Sequence, residues 1–136
     1  MSKLSGKVAV VTGASKGIGA AIAKAFAAEG ASIVVNYASS KAGADTVVAA
    51  IEAAGGKAVA VRGDVPKVAE AEGIIDAAIK NYGRLDILVN NSGIYEYTPI
   101  DAIGEPGDIA SIAVFLASEG SAWLTGEQLL ATGGFR

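Results

Sequence analysis

The sequence has 136 residues, a net charge of −3 and neither cysteine nor histidine. This length suffices for one domain with a hydrophobic core, and the acidic balance argues against a nucleic-acid or membrane-surface partner. The lack of cysteine excludes disulfides and thiolate chemistry and fits a reducing cytoplasm, while no apolar run reaches the ~18 residues of a membrane helix. Without histidine, acid–base chemistry would depend on Tyr, Lys, Asp or Glu.

Short apolar runs alternate with alanine-rich segments of helical period along most of the chain. The runs predict strands, and the period predicts amphipathic helices between them. Predicted strands cover residues 8–12, 32–36, 57–64, 85–91 and 127–132. Predicted helices cover about 18–29, 39–54, 66–82 and 106–118; the third carries Val68, Ile75, Ile79 and Tyr82, and the last has Pro106 at its first position. Residues 94–104 have no clear period and are predicted to form a loop.

This alternation predicts an α/β fold: a three-layer, doubly wound parallel sheet with helices on both faces. We expect about five strands in the order 3-2-1-4-5, since crossovers are right-handed. Ligands of such sheets bind at the carboxyl ends of the strands, where the order reverses between strands 1 and 4.

A glycine-rich loop, TGASKGIG at residues 12–19, lies between strand 1 and helix 1. Gly13, Gly17 and Gly19 allow positive φ and close backbone approach. The N–H groups that open the helix favour a pyrophosphate. The alternative is a turn that only links strand to helix, but its position after the first strand favours a dinucleotide.

The residues after strand 2 bear on the choice of cofactor. A loop for NAD usually has an acid there to hold the ribose 2′-hydroxyl, but this sequence has Asn36, Tyr37 and Ala38. Lys16 in the glycine loop is well placed to pair with a 2′-phosphate, unless it is an ordinary solvated charge. We therefore expect NADP, with NAD as the alternative.

Polar residues also end strands 3 and 4. Asp64, before Val65, can accept from an adenine amino group or cap the following helix. Asn90, Asn91, Ser92 and Gly93 follow strand 4, where they can line the cofactor or tie strands together. The predicted cofactor-binding set is Gly13, Ser15, Lys16, Gly17, Ile18, Gly19, Asn36, Tyr37, Ser39, Asp64, Val65, Asn91, Ser92 and Gly93.

Together, TGASKGIG, Asp64-Val65 and NNSG at 90–93 resemble the short-chain dehydrogenase/reductase family, notably NADP-using 3-oxoacyl-acyl-carrier-protein reductases and glucose-dehydrogenase-like members. GEPGDIASIAVFLAS at 104–118 and WLTGEQLLATGG at 123–134 resemble the family's last helix and strand. The resemblance implies a Rossmann-like dinucleotide-binding domain. It also implies a junction at 103–104, because the family's central segment, with its catalytic serine and Tyr-x-x-x-Lys, is missing. Residues 1–136 would then form one shortened domain with no catalytic residues and no metal.

The segment YASSK, residues 37–41, has the tyrosine–lysine spacing of the family's catalytic pair. It follows strand 2, however, at the adenosine end of the expected cleft. We expect Tyr37 to precede helix 2, Ser39 or Ser40 to cap it, and Ser39, Ser40 and Lys41 to help hold a 2′-phosphate. The spacing is then unrelated to catalysis.

Three functions remain open at this stage. The first is an NADP(H)-binding domain without turnover. The second is an active oxidoreductase, either completed by residues outside this sequence or using Tyr95 or Tyr97. The third is a ligand-free structural module. Helix 106–118 is apolar nearly all round, so we expect it to form a homodimer unless Trp123 and the tail fold back over it.

Overall fold

Strands and helices alternate regularly in the computed structural model, which describes residues 2–92 and 105–126. The elements are β1 (Val8–Val11), α1 (Gly17–Ala28), β2 (Ser32–Tyr37), α2 (Lys41–Ala53), β3 (Lys57–Arg62), α3 (Val68–Tyr82), β4 (Ile87–Val89), α4 (Pro106–Ala117) and a 3₁₀ turn (Glu119–Ser121). The predicted alternation is confirmed. The predicted loop at 94–104 and strand at 127–132 lie outside the described residues, and β4 is shorter than the predicted 85–91.

The sheet is parallel and has four strands in the order β3-β2-β1-β4. In the central register Val10 pairs with Val34 on one side and with Leu88 on the other. The predicted order is thereby confirmed for strands 1 to 4, and the order reverses between β1 and β4 as expected.

Helices cover both faces of the sheet, because successive side chains of a strand point to opposite faces. On one face, Ile33 and Val35 pack with Ile22 and Phe26 of α1, and α2 and α4 add to the same cluster. On the other face, Val10 and Val34 pack with α3. Burial on both sides explains why β1 and β2 are continuous apolar runs.

Helix α3 uses a different face from the predicted one. Val68 and Ile79 are 74% and 49% exposed, whereas Ile74 and Ala78 are buried. Ile74, Ala78 and Tyr82 share one helical face. Tyr82 at its end and Ile75 beside it are partly buried against the same cluster. The prediction was wrong for Val68 and Ile79 because it followed large side chains and overlooked the small Ala78.

Helix α4 begins as predicted, with Pro106 at its first position and a capping box between Glu105 and Asp108. Ala110 and Val114 are buried in the cluster that also includes α1. Trp123 is 99% exposed, so the alternative of a cover over α4 is wrong for this residue, while the tail from residue 127 onward lies outside the described residues. In the described ranges, all helices are too short or too polar to cross a membrane.

Candidate cofactor cleft

A cleft of about 680 Å³ opens at the carboxyl ends of the strands, where the strand order reverses. Its volume lies within the usual range of small-molecule sites. It brings together many of the residues predicted from the sequence and adds Ala38, Gly63 and Pro66 to them. The full lining is Gly13, Ser15, Lys16, Gly17, Ile18, Ala38, Ser39, Gly63, Asp64, Val65, Pro66, Asn91 and Ser92.

The glycine loop has the backbone geometry that a phosphate cradle needs. Gly13 and Gly17 both have φ of +59°, a conformation that side chains disfavour. A Cβ on Gly13 would lie 3.2 Å from Ser92, while one on Gly17 would meet nothing within 4 Å. Lys16 is the N-cap of α1 and makes no side-chain cap hydrogen bond. The first N–H groups of α1 are thus free of a side-chain cap at the cleft, an arrangement that favours an anion.

Gly19 packs against this loop and does not line the cleft. A Cβ there would lie 2.5 Å from the Gly13 oxygen and 2.6 Å from the Asn91 side-chain nitrogen. Gly19 thus lets α1 lie directly against the loop and the end of β4.

Thr12 joins the glycine loop to the end of β4 and was missed by the sequence analysis. Its hydroxyl donates to the Val89 oxygen at 3.2 Å and accepts from the backbone N–H groups of Asn91 at 2.9 Å and Ser92 at 3.0 Å. The Asn91 side chain in turn donates to the Thr12 oxygen at 3.1 Å. A polar residue directly after an apolar strand was the signal that could have identified Thr12.

Asn36 and Tyr37 lie behind the cleft. Asn36 is 1% exposed, and its amide connects the glycine loop to the end of β3. Tyr37 is the last residue of β2 and packs in the core beside α2. The structure therefore does not bring these two predicted site residues to the cleft surface.

The YASSK segment divides between strand and helix, as expected. Ser40 caps α2 by accepting from the Gly43 N–H at 3.2 Å. Lys41 is the first helical residue and pairs with Asp45 at 2.6 Å, which raises the pKa of Lys41. Of Ser39, Ser40 and Lys41, which were expected to help hold a 2′-phosphate, only Ser39 lines the cleft.

Asp64 and Val65 also line the cleft. The alternative that Asp64 caps the next helix was wrong: α3 begins at Val68, with Lys67 as N-cap and no side-chain cap hydrogen bond. Instead, the Asp64 backbone N–H donates to the Glu70 carboxylate at 2.7 Å.

Residues 7–117 match the short chain dehydrogenase family. The chain belongs to this family. It is similar to an uncharacterized oxidoreductase of Methylorubrum extorquens, with 58% identity over 93% of the chain and 53% of that protein. It is 50% identical to a 3-oxoacyl-[acyl-carrier-protein] reductase of Synechocystis over 69% of the chain and 38% of that protein.

A solved structure with the same fold is similar to this chain. A hydroxysteroid dehydrogenase from Escherichia coli superposes with a TM-score of 0.88 at 25% identity, covering 98% of both chains. The chain spans about half or less of the length of the curated relatives that it matches.

The structure describes only part of the predicted site. Gly93, Tyr95, Tyr97 and the junction at 103–104 lie outside the described residues. Within residues 2–92 and 105–126, no cluster of three His, Cys, Asp or Glu residues could hold a metal ion.

Proposed function

We propose that this chain is an NADP(H)-binding domain derived from a short-chain dehydrogenase and that it does not turn over substrate. The observation that carries the binding proposal is the cleft, in which the uncapped start of α1, Lys16 and Asp64 meet. The loop N–H groups would hold the pyrophosphate, and Asp64 would accept from the adenine amino group. The nicotinamide of this cofactor carries a hydride, which this chain would bind but not transfer.

The choice of NADP over NAD rests on charge at the adenosine ribose. The described end of β2 offers no carboxylate to a 2′-hydroxyl, since Asn36 is buried and Asp45 is paired with Lys41. Lys16 is exposed at the rim of the cleft and Ser39 lines it. A lysine and a hydroxyl there suit a 2′-phosphate better than a 2′-hydroxyl, so NADP is the proposed cofactor and NAD the alternative.

The lack of turnover is proposed from the Tyr-x-x-x-Lys spacing, which occurs only at Tyr37 and Lys41. Tyr37 is buried at the end of β2, and Lys41 is held by Asp45. Neither can donate a proton to a substrate beside β4. We therefore propose one shortened Rossmann-like domain over residues 1–136, joined at 103–104, without the family's central catalytic segment. An intact mass of 13.5 kDa for the purified protein would agree with a continuous chain of this length.

A fluorescence titration of the purified protein with NADPH and NADH tests the binding proposal. We expect NADPH to bind more tightly, and Gly13→Val to abolish binding because a valine at φ +59° would be strained and would contact Ser92. If neither NADPH nor NADH binds at millimolar concentration, the binding proposal is contradicted. Oxidation of NADPH with a panel of carbonyl compounds would contradict the proposed lack of turnover.

We further propose a cytoplasmic homodimer that uses α4. Phe115 and Leu116 remain 42% and 46% exposed although Ala110 and Val114 are buried in the core. Exposed apolar side chains on one helix suit a protein interface. Sedimentation should show a dimer that dissociates in Leu116→Lys, and a monomer at high concentration in the unmodified protein would refute the homodimer.

A further inference from the structure

The turn from β3 to α3 carries a cluster of charged groups at the adenine end of the cleft. Glu70 accepts the Asp64 backbone N–H at 2.7 Å. The Lys67 ammonium lies 3.3 Å from the Glu70 carboxylate and 3.8 Å from the Asp64 carboxylate. The Lys67 backbone N–H donates to the Asp64 backbone oxygen at 2.9 Å and closes the turn.

The Glu70 contact differs from an ordinary helix cap. In a capping box the third helical residue accepts from the N-cap N–H. Glu70 is the third residue of α3, but it accepts from Asp64, three positions before the N-cap Lys67. The bond therefore ties the cleft-lining turn to the helix.

The helix end of this tie is fixed by the core. One turn further along α3, Ile74 is 2% exposed. A Cβ on Gly63, the residue before Asp64, would lie 2.7 Å from the Ile74 side chain. Asp64 is thus held by close packing before it and by the Glu70 hydrogen bond at its own nitrogen.

We propose that Glu70 is a positioning residue that fixes Asp64 for recognition of the 6-amino group of adenine. This inference rests on the proposed dinucleotide function. The Asp64 side chain is 45% exposed and its contact with Lys67 is longer than a hydrogen bond, so a carboxylate oxygen is free to accept from the base. Fixing the Asp64 nitrogen limits the directions in which this side chain can point.

The ionisation of Glu70 agrees with this role. The hydrogen bond from the Asp64 N–H, followed by that from Lys67, lowers the pKa of Glu70 from its ordinary value. Arg62 acts in the same direction from the end of β3. Glu70 is therefore ionised at neutral pH, where an ionised acceptor gives the stronger hydrogen bond.

The preference of the protein for adenine over another base distinguishes a positioning role of Glu70 from a contribution to stability alone. The probes are NADPH and its analogue with hypoxanthine in place of adenine, whose 6-oxo group cannot donate to Asp64. In the unmodified protein we expect a preference for NADPH of roughly 10-fold, the value of one hydrogen bond to a charged group. Glu70→Ala should reduce this ratio to about 2-fold, mainly by weakening NADPH binding. Glu70→Gln, which keeps an acceptor for the Asp64 N–H, should give an intermediate ratio and covers the case that Glu70→Ala fails to fold.

Glu72→Ala is the matched control, since Glu72 is exposed on the same helix and its loss changes the net charge equally. It should leave the ratio unchanged. A folded Glu70→Ala protein that keeps the full preference, or an unmodified protein that binds both probes equally, would overturn the role of Glu70 while the proposed function stands. An unmodified protein that binds neither probe would remove both.

Discussion

Asn36 and Gly13 are joined by a hydrogen bond that shapes the glycine loop: the Gly13 N–H donates to the Asn36 side-chain oxygen at 3.1 Å. The amide nitrogen of Asn36 donates to the Gly63 oxygen at 3.0 Å and to the Val61 oxygen at 3.3 Å. The Asn36 backbone oxygen also accepts from the Ala14 N–H at 2.8 Å. One buried side chain thus connects the glycine loop with the end of β3, and the amide needs both its donor and its acceptor.

Asn36→Asp should destabilise the protein by about 2 to 3 kcal/mol at pH 7, because a carboxylate cannot donate to the Gly63 and Val61 oxygens. Burial would raise the pKa of the new acid, and its protonated form can donate again. The loss should therefore shrink as the pH falls towards that raised pKa. Urea unfolding at several pH values measures both effects.

Asn81→Asp is the control for this change. Asn81 is exposed, and its amide donates to the Ala77 oxygen at 2.8 Å on the surface of α3. We expect a loss of about 0.5 kcal/mol or less. Equal losses of unfolding free energy at positions 36 and 81 would show that the buried hydrogen bonds of Asn36 contribute no more stability than an exposed one.

The sequence predicted the order of the elements well, because continuous apolar runs such as VAVV and IVV must be buried on both faces of a sheet. It also predicted the start of α4, since Pro106 is favoured at a first helical position. It failed where small residues determine packing: Ala78 contacts the sheet, while the larger Ile79 is half exposed. Periodicity of large side chains cannot show this difference.

The cleft was predicted in outline from glycines and polar residues at strand ends, because parallel strands bring their carboxyl ends to one edge. The sequence could not distinguish groups that line the cleft from groups that support it. Asn36 and Gly19 are supports, and Thr12 and Glu70 were missed. Some of these partners are distant along the chain: Thr12 bonds residues 79 and 80 positions away, and Asn36 bonds Gly13 and Gly63, which are 23 and 27 positions away. Glu70 bonds Asp64 only 6 positions away, but this bond reaches outside the helix and has no helical period that would predict it.

Two glycines should respond in opposite directions to the same substitution. Gly19→Ala should destabilise the protein by about 1 to 3 kcal/mol, since the added methyl overlaps the Gly13 oxygen and the Asn91 amide. Gly73→Ala should stabilise it by about 0.5 to 1 kcal/mol, because that position is in α3 with open space around it. Thermal and urea unfolding measure both, and a neutral Gly19→Ala would contradict the close contact of α1 with the loop.

Lys16→Ala tests the charge at the rim of the cleft. NADPH affinity should fall about 10-fold with the loss of one charge-assisted contact to the 2′-phosphate. NADH affinity should change by about 2-fold or less, because NADH lacks that phosphate. Lys24→Ala is the control, as Lys24 is exposed further along α1. Equal weakening of both dinucleotides by Lys16→Ala would assign the lysine to the pyrophosphate or to general attraction.

Asp86 should make stability depend on pH in the acid range. Its carboxylate accepts from Arg84 at 2.6 Å and from the Val8 N–H at 2.9 Å, which joins the start of β4 to β1. The hydrogen bond from Arg84, with smaller effects of Val8 and Lys7, lowers the pKa of Asp86 from its ordinary value. Because the folded pKa of Asp86 is lower than its unfolded pKa, the ionised carboxylate stabilises the fold above the unfolded pKa. This stability is lost as the pH falls through the folded pKa.

Asp86→Asn keeps an acceptor for Val8 but cannot titrate, so it should be less stable than the unmodified protein at pH 7. The difference should shrink below about pH 4. Asp76→Asn on the exposed side of α3 is the control, and a difference for Asp86→Asn that stays constant from neutral to acid pH would contradict the assignment.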